Sequence, residues 1–279
     1  MESDLSHFHY TCYRVCYHGY NHESLKTYIS CNNCRSAGAS LLCEPCVDFH
    51  KEYRNNNLKF NNEIFPYVVA IMWNSSTTWT FTCFGSMILV KWVLTSAHCR
   101  RPGFTHRALL YHDFARNMTQ TYPVAIWRIH ERYSVDNVIP KYDIAVAKLS
   151  FTVYSLTMKP AGFSNIECKE VEASVWKTVS TMDNKMYLTN DFDAFDVQIA
   201  NPMKCYESYG VPMDTSMICV DTSRYDDCFV HEFGPIFHGD EVIGIISIKP
   251  RDCDIKYSIF TNVSHFSNWI LRSTKTINH

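Results

Sequence analysis

Three places along the 279-residue chain carry side chains that could perform acid–base or nucleophilic chemistry. His98 follows an apolar run, Asp143 opens the run DIAVAKLS, and Asp226–Pro235 (DDCFVHEFGP) concentrates carboxylates with a cysteine and a histidine. An imidazole beside a carboxylate can accept and donate a proton near neutral pH. A histidine or an aspartate taken alone more often has a structural role, so the surrounding sequence decides how each is interpreted.

The sequence around His98 resembles the catalytic-histidine block of the trypsin-like (chymotrypsin-fold) serine proteases. The family has W-V-L-T-A-A-H-C where Trp92–Cys99 is WVLTSAHC, and Tyr142–Ala145 (YDIA) matches the family's D-I-A block. The resemblance implies that His98 occupies the general-base position and that Asp143 fixes its tautomer and orientation. Similar blocks extend over about residues 65–270, and their combination is highly specific.

The resemblance breaks down at the nucleophile. Asp226–Pro235 aligns with the family's D-S-C-x-G-D-S-G-G-P, because the cysteine and the Gly-Pro pair keep their spacing. Glu232 then replaces the nucleophilic serine, Val230 the oxyanion-hole glycine, and His231 the aspartate that receives a newly cleaved N-terminus in active relatives. A serine protease homologue without catalysis, a pseudoprotease, is the implied class of protein.

Three residues align with the pocket that selects substrates in the family. Asp226 aligns with the pocket-base aspartate that gives trypsin-like members their preference for Arg and Lys, whereas Ile248 and Lys249 replace Trp and Gly on the pocket wall. Two alternatives stay open. Either Lys249 fills the pocket and pairs with Asp226, or both residues are relics on a surface that no longer binds substrate.

Thirteen cysteines are heavy usage for a reducing compartment. The resemblance implies the disulfides Cys83–Cys99, Cys205–Cys219 and Cys228–Cys253, and it leaves Cys168 without an assigned partner. The N-terminal cysteines favour disulfides, with a four-cysteine zinc site as the alternative. These six are Cys12, Cys16, Cys31, Cys34, Cys43 and Cys46. We expect no cofactor and no metal site in the protease-like region.

Short β-rich runs separated by Gly, Pro, Asn and Asp indicate an all-β protein from residue 65 onward. Only Val263–Ser273 has helical spacing, with Phe266, Trp269 and Ile270 on one face, and it predicts a C-terminal helix. The resemblance implies two antiparallel six-stranded β-barrels of the chymotrypsin type. The expected divisions are a cysteine-rich segment with a linker (1–57) and a peptidase S1 domain (58–279), with barrels at about 58–160 and 161–279.

Composition excludes two classes of partner. The 26 basic and 28 acidic residues give a net charge of −2 without a long basic run, which argues against nucleic acid. No apolar run approaches the roughly 18 residues that span a bilayer. The cysteines and the sequons at Asn74, Asn117 and Asn262 favour secretion. Because no signal-peptide pattern opens the chain, we expect the N-terminus to be incomplete or mis-assigned.

These observations leave two classes of function. We expect a secreted binding or regulatory protein that presents a protease-shaped surface to a protease, an inhibitor, a receptor or a matrix protein. The alternative is a trypsin-like endopeptidase with residual or unusual hydrolytic activity that uses His98 and Asp143.

Overall fold

The computed structural model describes most of the chain after residue 66. It covers residues 67–75, 78–111, 120–136, 139–153, 170–180, 186–223, 233–238, 241–250 and 255–275, with strand residues 34–37, 40–43 and 159–160. In the cysteine-rich segment, β1 (Cys34–Ala37) and β2 (Ser40–Cys43) form an antiparallel hairpin that sets Cys34 opposite Cys43 in register. The segment's other cysteines lie outside the described residues, so their pairing and the domain limits stay predictions.

The first barrel is a closed sheet of six antiparallel strands. Its strands are β3 (Val68–Ser75), β4 (Thr78–Leu89), β5 (Trp92–Thr95), β6 (His106–Leu110), β7 (Tyr122–Ile129) and β10 (Ala145–Leu149). Pairing of β10 with both β5 and β7 closes the ring. Between β7 and β10 the chain forms a small hairpin of β8 (Ser134–Asp136) and β9 (Ile139–Lys141).

The second barrel is built in the same way from the later strands. They are β12 (Glu170–Ser180), β13 (Met186–Ile199), β14 (Met217–Asp221), β15 (Phe233–His238), β16 (Glu241–Ile248) and β17 (Tyr257–Asn262). The antiparallel pairing of β16 with both β15 and β17 closes this ring, and the short β11 (Lys159–Pro160) adds to β16 in parallel. The prediction of two six-stranded antiparallel barrels is therefore confirmed.

One continuous apolar core runs through both barrels, because β-branched and aromatic side chains fill the inner faces of the strands. Phe84 and Leu94 in the first barrel and Phe237 in the second are fully buried. Tyr67, just before β3, packs edge to face on Phe237 with 4.9 Å between ring centroids. Close packing of β4 on β5 requires Gly85, since a Cβ there would lie 2.5 Å from the Leu94 carbonyl oxygen.

A short helix, α1 (Pro202–Tyr209), was not predicted from the sequence. Its hydrophobic pattern is weak, because Cys205 is the one residue that it buries. Capping residues mark both ends of the helix instead. The Asn201 side chain accepts a hydrogen bond from the Met203 N–H, and Gly210 ends the helix with φ of 65°. Capping residues would have located this helix where periodicity could not.

The C-terminal helix predicted over Val263–Ser273 is present as a short 3₁₀ turn, Ser264–Phe266, followed by α2 (Ser267–Thr274). Its apolar face is buried as expected, with Trp269 and Ile270 at most 4% exposed. The Trp269 indole N–H also donates to the Glu131 carboxylate of the first barrel. In the described part of the chain, no helix has the length and apolar character needed to cross a membrane.

The contact of α2 with the first barrel gives a direct test of the packing. We expect Trp269→Ala to lower the free energy of unfolding by about 3–5 kcal/mol, because it removes a buried indole and its hydrogen bond. Leu271→Ala is the matched control on the same helix, where the leucine is 58% exposed, and its cost should stay within about 0.5 kcal/mol. Denaturant unfolding measures both, and equal losses would show that α2 is not anchored through Trp269.

Candidate functional site

His98 is presented by a rigid part of the first barrel. The fully buried strand β5 leads into a 3₁₀ turn at Ala97–Cys99, and a disulfide joins Cys99 to Cys83 of β4. Ser96, just before the turn, donates its hydroxyl hydrogen bond to the Ile246 carbonyl of the second barrel. The imidazole, with its side chain 35% exposed, therefore stands at the junction of the barrels and is accessible from solvent.

Asp143 holds this imidazole through a buried hydrogen-bond network. Its Oδ2 lies 2.7 Å from His98 Nδ1, and its Oδ1 accepts the His98 backbone N–H at 3.0 Å. Ser247 of β16 donates to the same Oδ2 at 2.8 Å. Because an ionised carboxylate only accepts hydrogen bonds, the proton of a neutral His98 resides on Nδ1, and the ring lone pair that could accept a proton is on Nε2.

The backbone at Asp143 is held from both barrels. Thr261 of β17 donates its hydroxyl to the Asp143 carbonyl at 2.9 Å. The preceding residue, Tyr142, has φ of 50°, a left-handed conformation that costs a side-chain-bearing residue about 1–2 kcal/mol. Its ring stacks on His130 at 5.5 Å between centroids and lies 4.1 Å from the Arg132 guanidinium carbon. These contacts stabilise the turn that aims the carboxylate.

Two neighbouring groups respond to this buried environment. Burial raises the pKa of Tyr133 to about 12, and the negative charge of Asp143 adds to the rise. Burial lowers the pKa of His130, with Glu131 opposing the shift and Arg132 adding to it. Both side chains are therefore neutral at pH 7.

The Nε2 atom of His98 faces the disulfide, with Cys83 Sγ at 3.5 Å. Candidate ligand atoms of Cys83, His98 and Cys99 all lie within 4.8 Å of one another. Zinc binds cysteine as thiolate, and the two sulfurs are joined in a disulfide. These three residues therefore cannot form a zinc site, because the disulfide leaves no thiolate to bind the metal.

The loop predicted to carry the altered nucleophile lies outside the described residues. This applies to Asp226, Cys228, Val230, His231 and Glu232, together with Cys253 and the sequon at Asn117. Their roles, including the Cys228–Cys253 disulfide, stay predictions.

The structure resumes directly after that loop, at β15. A Cβ at Gly234 would lie 2.2 Å from Ser174 Oγ, so only glycine fits against β12 here. The Ser174 hydroxyl also donates to the Pro235 carbonyl at 3.0 Å. The Gly-Pro pair on which the alignment of Glu232 depends is therefore tightly packed.

The pocket-wall positions lie at the end of β16. Ile248 and Lys249 are both partly buried, and Ile248 packs against the small apolar cluster of Cys205, Val211 and Cys219. The pairing of Lys249 with Asp226 stays a prediction, because Asp226 is not described.

Two predicted disulfides are present in the described part of the chain. Cys83–Cys99 anchors the histidine turn to β4, and Cys205–Cys219 anchors α1 to β14, with Cα–Cα separations of 5.7 and 5.8 Å. All four cysteines are buried. Each disulfide therefore forms part of a barrel's interior packing.

Two of the three glycosylation candidates are described. Asn74 in β3 donates its backbone N–H to the Thr105 carbonyl at 3.1 Å, and its side-chain oxygen is buried. Asn262 at the end of β17 donates its side-chain N–H to the Thr215 carbonyl at 2.9 Å and accepts from the Ser264 hydroxyl at 2.8 Å. Glycosylation at either position stays a prediction.

Sequence reasoning missed the groups that surround the histidine and aspartate. Ser247 and Thr261 are ordinary strand residues in the sequence, and nothing in their spacing links them to Asp143. Tyr142 is similarly unmarked, since glycine or asparagine would be the usual signal of positive φ. These contacts appear only once the barrels are closed.

Comparison with known proteins identifies matches in one family. A family model described as Trypsin matches residues 55–270. Chymotrypsin of Phaedon cochleariae is 25% identical over 240 residues, covering 81% of this chain and 84% of that protein. Brachyurin of Leptuca pugilator is 28% identical over 206 residues, covering 70% of this chain and 88% of that protein.

Solved structures share the fold at low sequence identity. Mouse neuropsin, described as a serine protease expressed in the limbic system of the brain, superimposes with a TM-score of 0.62. It is 21% identical, and the match covers 77% of this chain and 97% of that structure. At this identity the similarity establishes the two-barrel fold alone.

Exchange of the buried carboxylate tests the tautomer of His98. In Asp143→Asn an amide N–H replaces the acceptor beside Nδ1, because the amide oxygen must stay with the His98 backbone N–H. We expect the ring proton to move to Nε2, as read by ¹⁵N NMR of the histidine ring. Asp136→Asn, at a carboxylate whose side chain is 64% exposed, is the control and should leave the tautomer unchanged. An unaltered ring proton in Asp143→Asn would contradict the network described here.

Proposed function

Because the chain belongs to the trypsin family of serine proteases, we propose that it keeps the protease fold but acts as a non-catalytic binding or regulatory protein. The observation that carries this proposal is Glu232 at the position of the nucleophilic serine, in a frame defined by Cys228 and by Gly234-Pro235. The replacements in this loop distinguish the chain from an active protease. His98 and Asp143, by contrast, match the residues of active proteases.

Glutamate cannot replace serine in this chemistry. A serine hydroxyl attacks the substrate carbonyl while the imidazole removes its proton, and the product is an ester that water hydrolyses. Attack by a carboxylate on an amide would form a high-energy anhydride. Beside His98, we expect Glu232 instead to form a hydrogen-bonded ion pair, in which its carboxylate would occupy the position at Nε2 that a nucleophile requires.

Two further replacements oppose catalysis independently. The oxyanion hole needs an inward-pointing backbone amide, in a conformation that glycine adopts readily and that the β-branched Val230 resists. At the next position, an aspartate receives the new N-terminal ammonium in active relatives, and His231 cannot accept that cation. Each replacement alone lowers activity, so restoring the serine is not sufficient.

One observation favours a second candidate, a hydrolase with residual or unusual activity. The Nδ1 atom of His98 is 2.7 Å from Asp143, which is the arrangement that a general base requires. In this alternative the imidazole activates a water molecule or another nucleophile. The buried network explains the same geometry without catalysis, since the Asp143 carboxylate needs its partners to remain buried.

The proposed setting is extracellular. Buried disulfides in both barrels are typical of proteins that fold in an oxidising compartment. We propose that the partner is a protein, of the classes that bind proteases: another protease, an inhibitor, a receptor or a matrix protein.

Loss of catalysis can be tested directly. The purified protein should not react with a fluorophosphonate probe and should not cleave Arg or Lys reporter peptides, because Glu232 provides no hydroxyl nucleophile. His98→Ala is the control for trace contamination by other proteases. Labelling or turnover that disappears in His98→Ala would favour the hydrolase alternative.

Restoring the serine alone tests the roles proposed for Val230 and His231. We expect Glu232→Ser to remain as inactive as Glu232→Ala in the reporter assay, because Val230 and His231 still oppose the oxyanion hole and the ordering of the pocket. Glu232→Ala is the matched control, since it also removes the carboxylate but adds no hydroxyl. Appreciable turnover by Glu232→Ser alone would contradict the roles given to Val230 and His231.

A further inference from the structure

A row of side chains crosses four strands of the first barrel at the start of β5. The strand register sets Trp92 of β5 opposite Leu89 of β4 and Lys148 of β10. Lys148 is in turn opposite Ile126 of β7, and Arg128 lies two residues further along that strand. Directly opposed and alternate residues share a face of a sheet. This face is open to solvent, since Leu89 is 45% and Ile126 43% exposed. We call these five residues the outer strip.

Two cations in the strip share the ring of Trp92. Lys148 Nζ lies 5.6 Å from the ring centroid, and the guanidinium carbon of Arg128 lies 5.3 Å from it. A cation over an indole face at this distance is attracted to it. The ring is only 4% exposed, as expected when long basic side chains lie over it. Arg128 also donates a hydrogen bond to the Ser273 carbonyl of α2. The two charges are therefore held close together before any partner binds.

The positive charge of the strip is not balanced locally. The four strands β4, β5, β7 and β10 contain no Asp or Glu, and the turn between β4 and β5 adds Lys91. Within the part of the chain that the structure describes, Arg128 and Lys148 make no ion pair, since the described carboxylate pairs join other residues. Like charges held close together repel each other. A carboxylate placed between them would be stabilised by both.

Apolar side chains lie at the two ends of the strip, and their spacing fits an extended polypeptide. Neighbouring strands are about 4.8 Å apart, so Leu89 and Ile126 are separated by roughly 14 Å along the row. In an extended chain, residues i, i+2 and i+4 share one face, and residues i and i+4 are about 13 Å apart. Two apolar side chains at i and i+4 can therefore reach the ends of the strip, while residue i+2 lies over Lys148.

We propose that the outer strip binds an extended acidic segment of a partner protein. A carboxylate of that segment pairs with Lys148 and Arg128, and apolar side chains two residues before and after it cover Leu89 and Ile126. Charge-assisted hydrogen bonds are stronger than neutral ones, and burial of the apolar contacts is favourable as well. The apolar ends favour a polypeptide over a polysaccharide. The cations between those ends favour it over a membrane, which is bound through one continuous apolar face.

This inference rests on the proposed binding function and names the class of partner, but the two can fail separately. The strip lies at the start of β5, whereas His98 follows the end of that strand. The peptide probe below contains no Arg or Lys, so a protease of trypsin-like preference would not consume it. A protein that cleaved reporter peptides and still bound the probe would overturn the first proposal alone. An inactive protein that did not bind the probe would overturn this inference alone.

The test uses the full chain and a fluorescein-labelled peptide that repeats Phe-Ser-Glu-Ser three times. Fluorescence anisotropy should show binding that weakens with added salt, because exposed charge pairs are screened. Lys148→Gln should raise Kd by about fivefold, since it removes one charge-assisted contact. Leu89→Ser/Ile126→Ser should raise Kd by about tenfold, since it removes both apolar contacts.

Matched controls carry the same changes outside the strip. Lys256→Gln removes an exposed lysine of the second barrel. Val135→Ser/Met203→Ser removes two apolar side chains that are 58% and 56% exposed. Each control should change Kd by less than about twofold, because surface substitutions away from a contact have small effects.

Altered peptides and other anions keep the proposal falsifiable. A peptide with glutamine in place of every glutamate should lose binding, and equal affinity for both peptides would overturn the role of charge. A peptide of the same composition with its phenylalanines adjacent should bind more weakly, and equal affinity would overturn the spacing. Binding of phosphatidylserine vesicles or of a heparin oligosaccharide, but not of the acidic peptide, would overturn the choice of a polypeptide.

Circular dichroism shows whether each strip variant is folded, and if one of the two is unfolded the other decides. Unchanged affinity in a folded strip variant would reject the proposal. Failure of the unaltered chain to bind the acidic peptide would reject it as well.

Discussion

A buried carboxylate stands at the junction of the two barrels, and the packing around it depends on its hydrogen bonds. The Asp143 side chain is 1% exposed and accepts from His98 of the first barrel and from Ser247 of the second. Thr261, also in the second barrel, binds its carbonyl oxygen. A buried charge that loses its partners is strongly destabilising. Separation of the barrels would therefore remove the Ser247 hydrogen bond from this charge, and the carboxylate that orients the imidazole also links the two barrels.

This dual role explains how a protease-like site can keep its histidine and aspartate when the proposed function no longer uses them. The Asp143 carboxylate is buried and its hydrogen-bond partners lie on both barrels, whereas Glu232 and Val230 belong to a connection between β14 and β15 in the sequence. Interior residues are constrained by packing and hydrogen bonding, so their replacement destabilises the protein. A nucleophile is not constrained by packing in this way. Its replacement therefore abolishes catalysis and leaves the hydrophobic core intact.

The sequence predicted the fold well because several family motifs occur in the right order. The separation of His98 and Asp143 hides their contact from any local pattern, and only the resemblance brought them together. Hydrophobic periodicity located α2, whose apolar face is wide, but it missed α1, which buries one residue. The left-handed Tyr142 could not be foreseen, because its conformation is stabilised by stacking on His130, which follows the end of β7.

The burial of both described disulfides constrains the order of events during folding. Thiolate–disulfide exchange needs access to the sulfur atoms, and Cys83, Cys99, Cys205 and Cys219 are each at most 1% exposed. Their oxidation must therefore take place before the barrels close around them, while the chain is still open to an oxidant or an isomerase. Once the barrels have closed, the same burial shields the bonds from reducing agents. A chain synthesised in a reducing cytosol would close around free thiols, and later exposure to oxidant would not easily restore the anchor of the histidine turn.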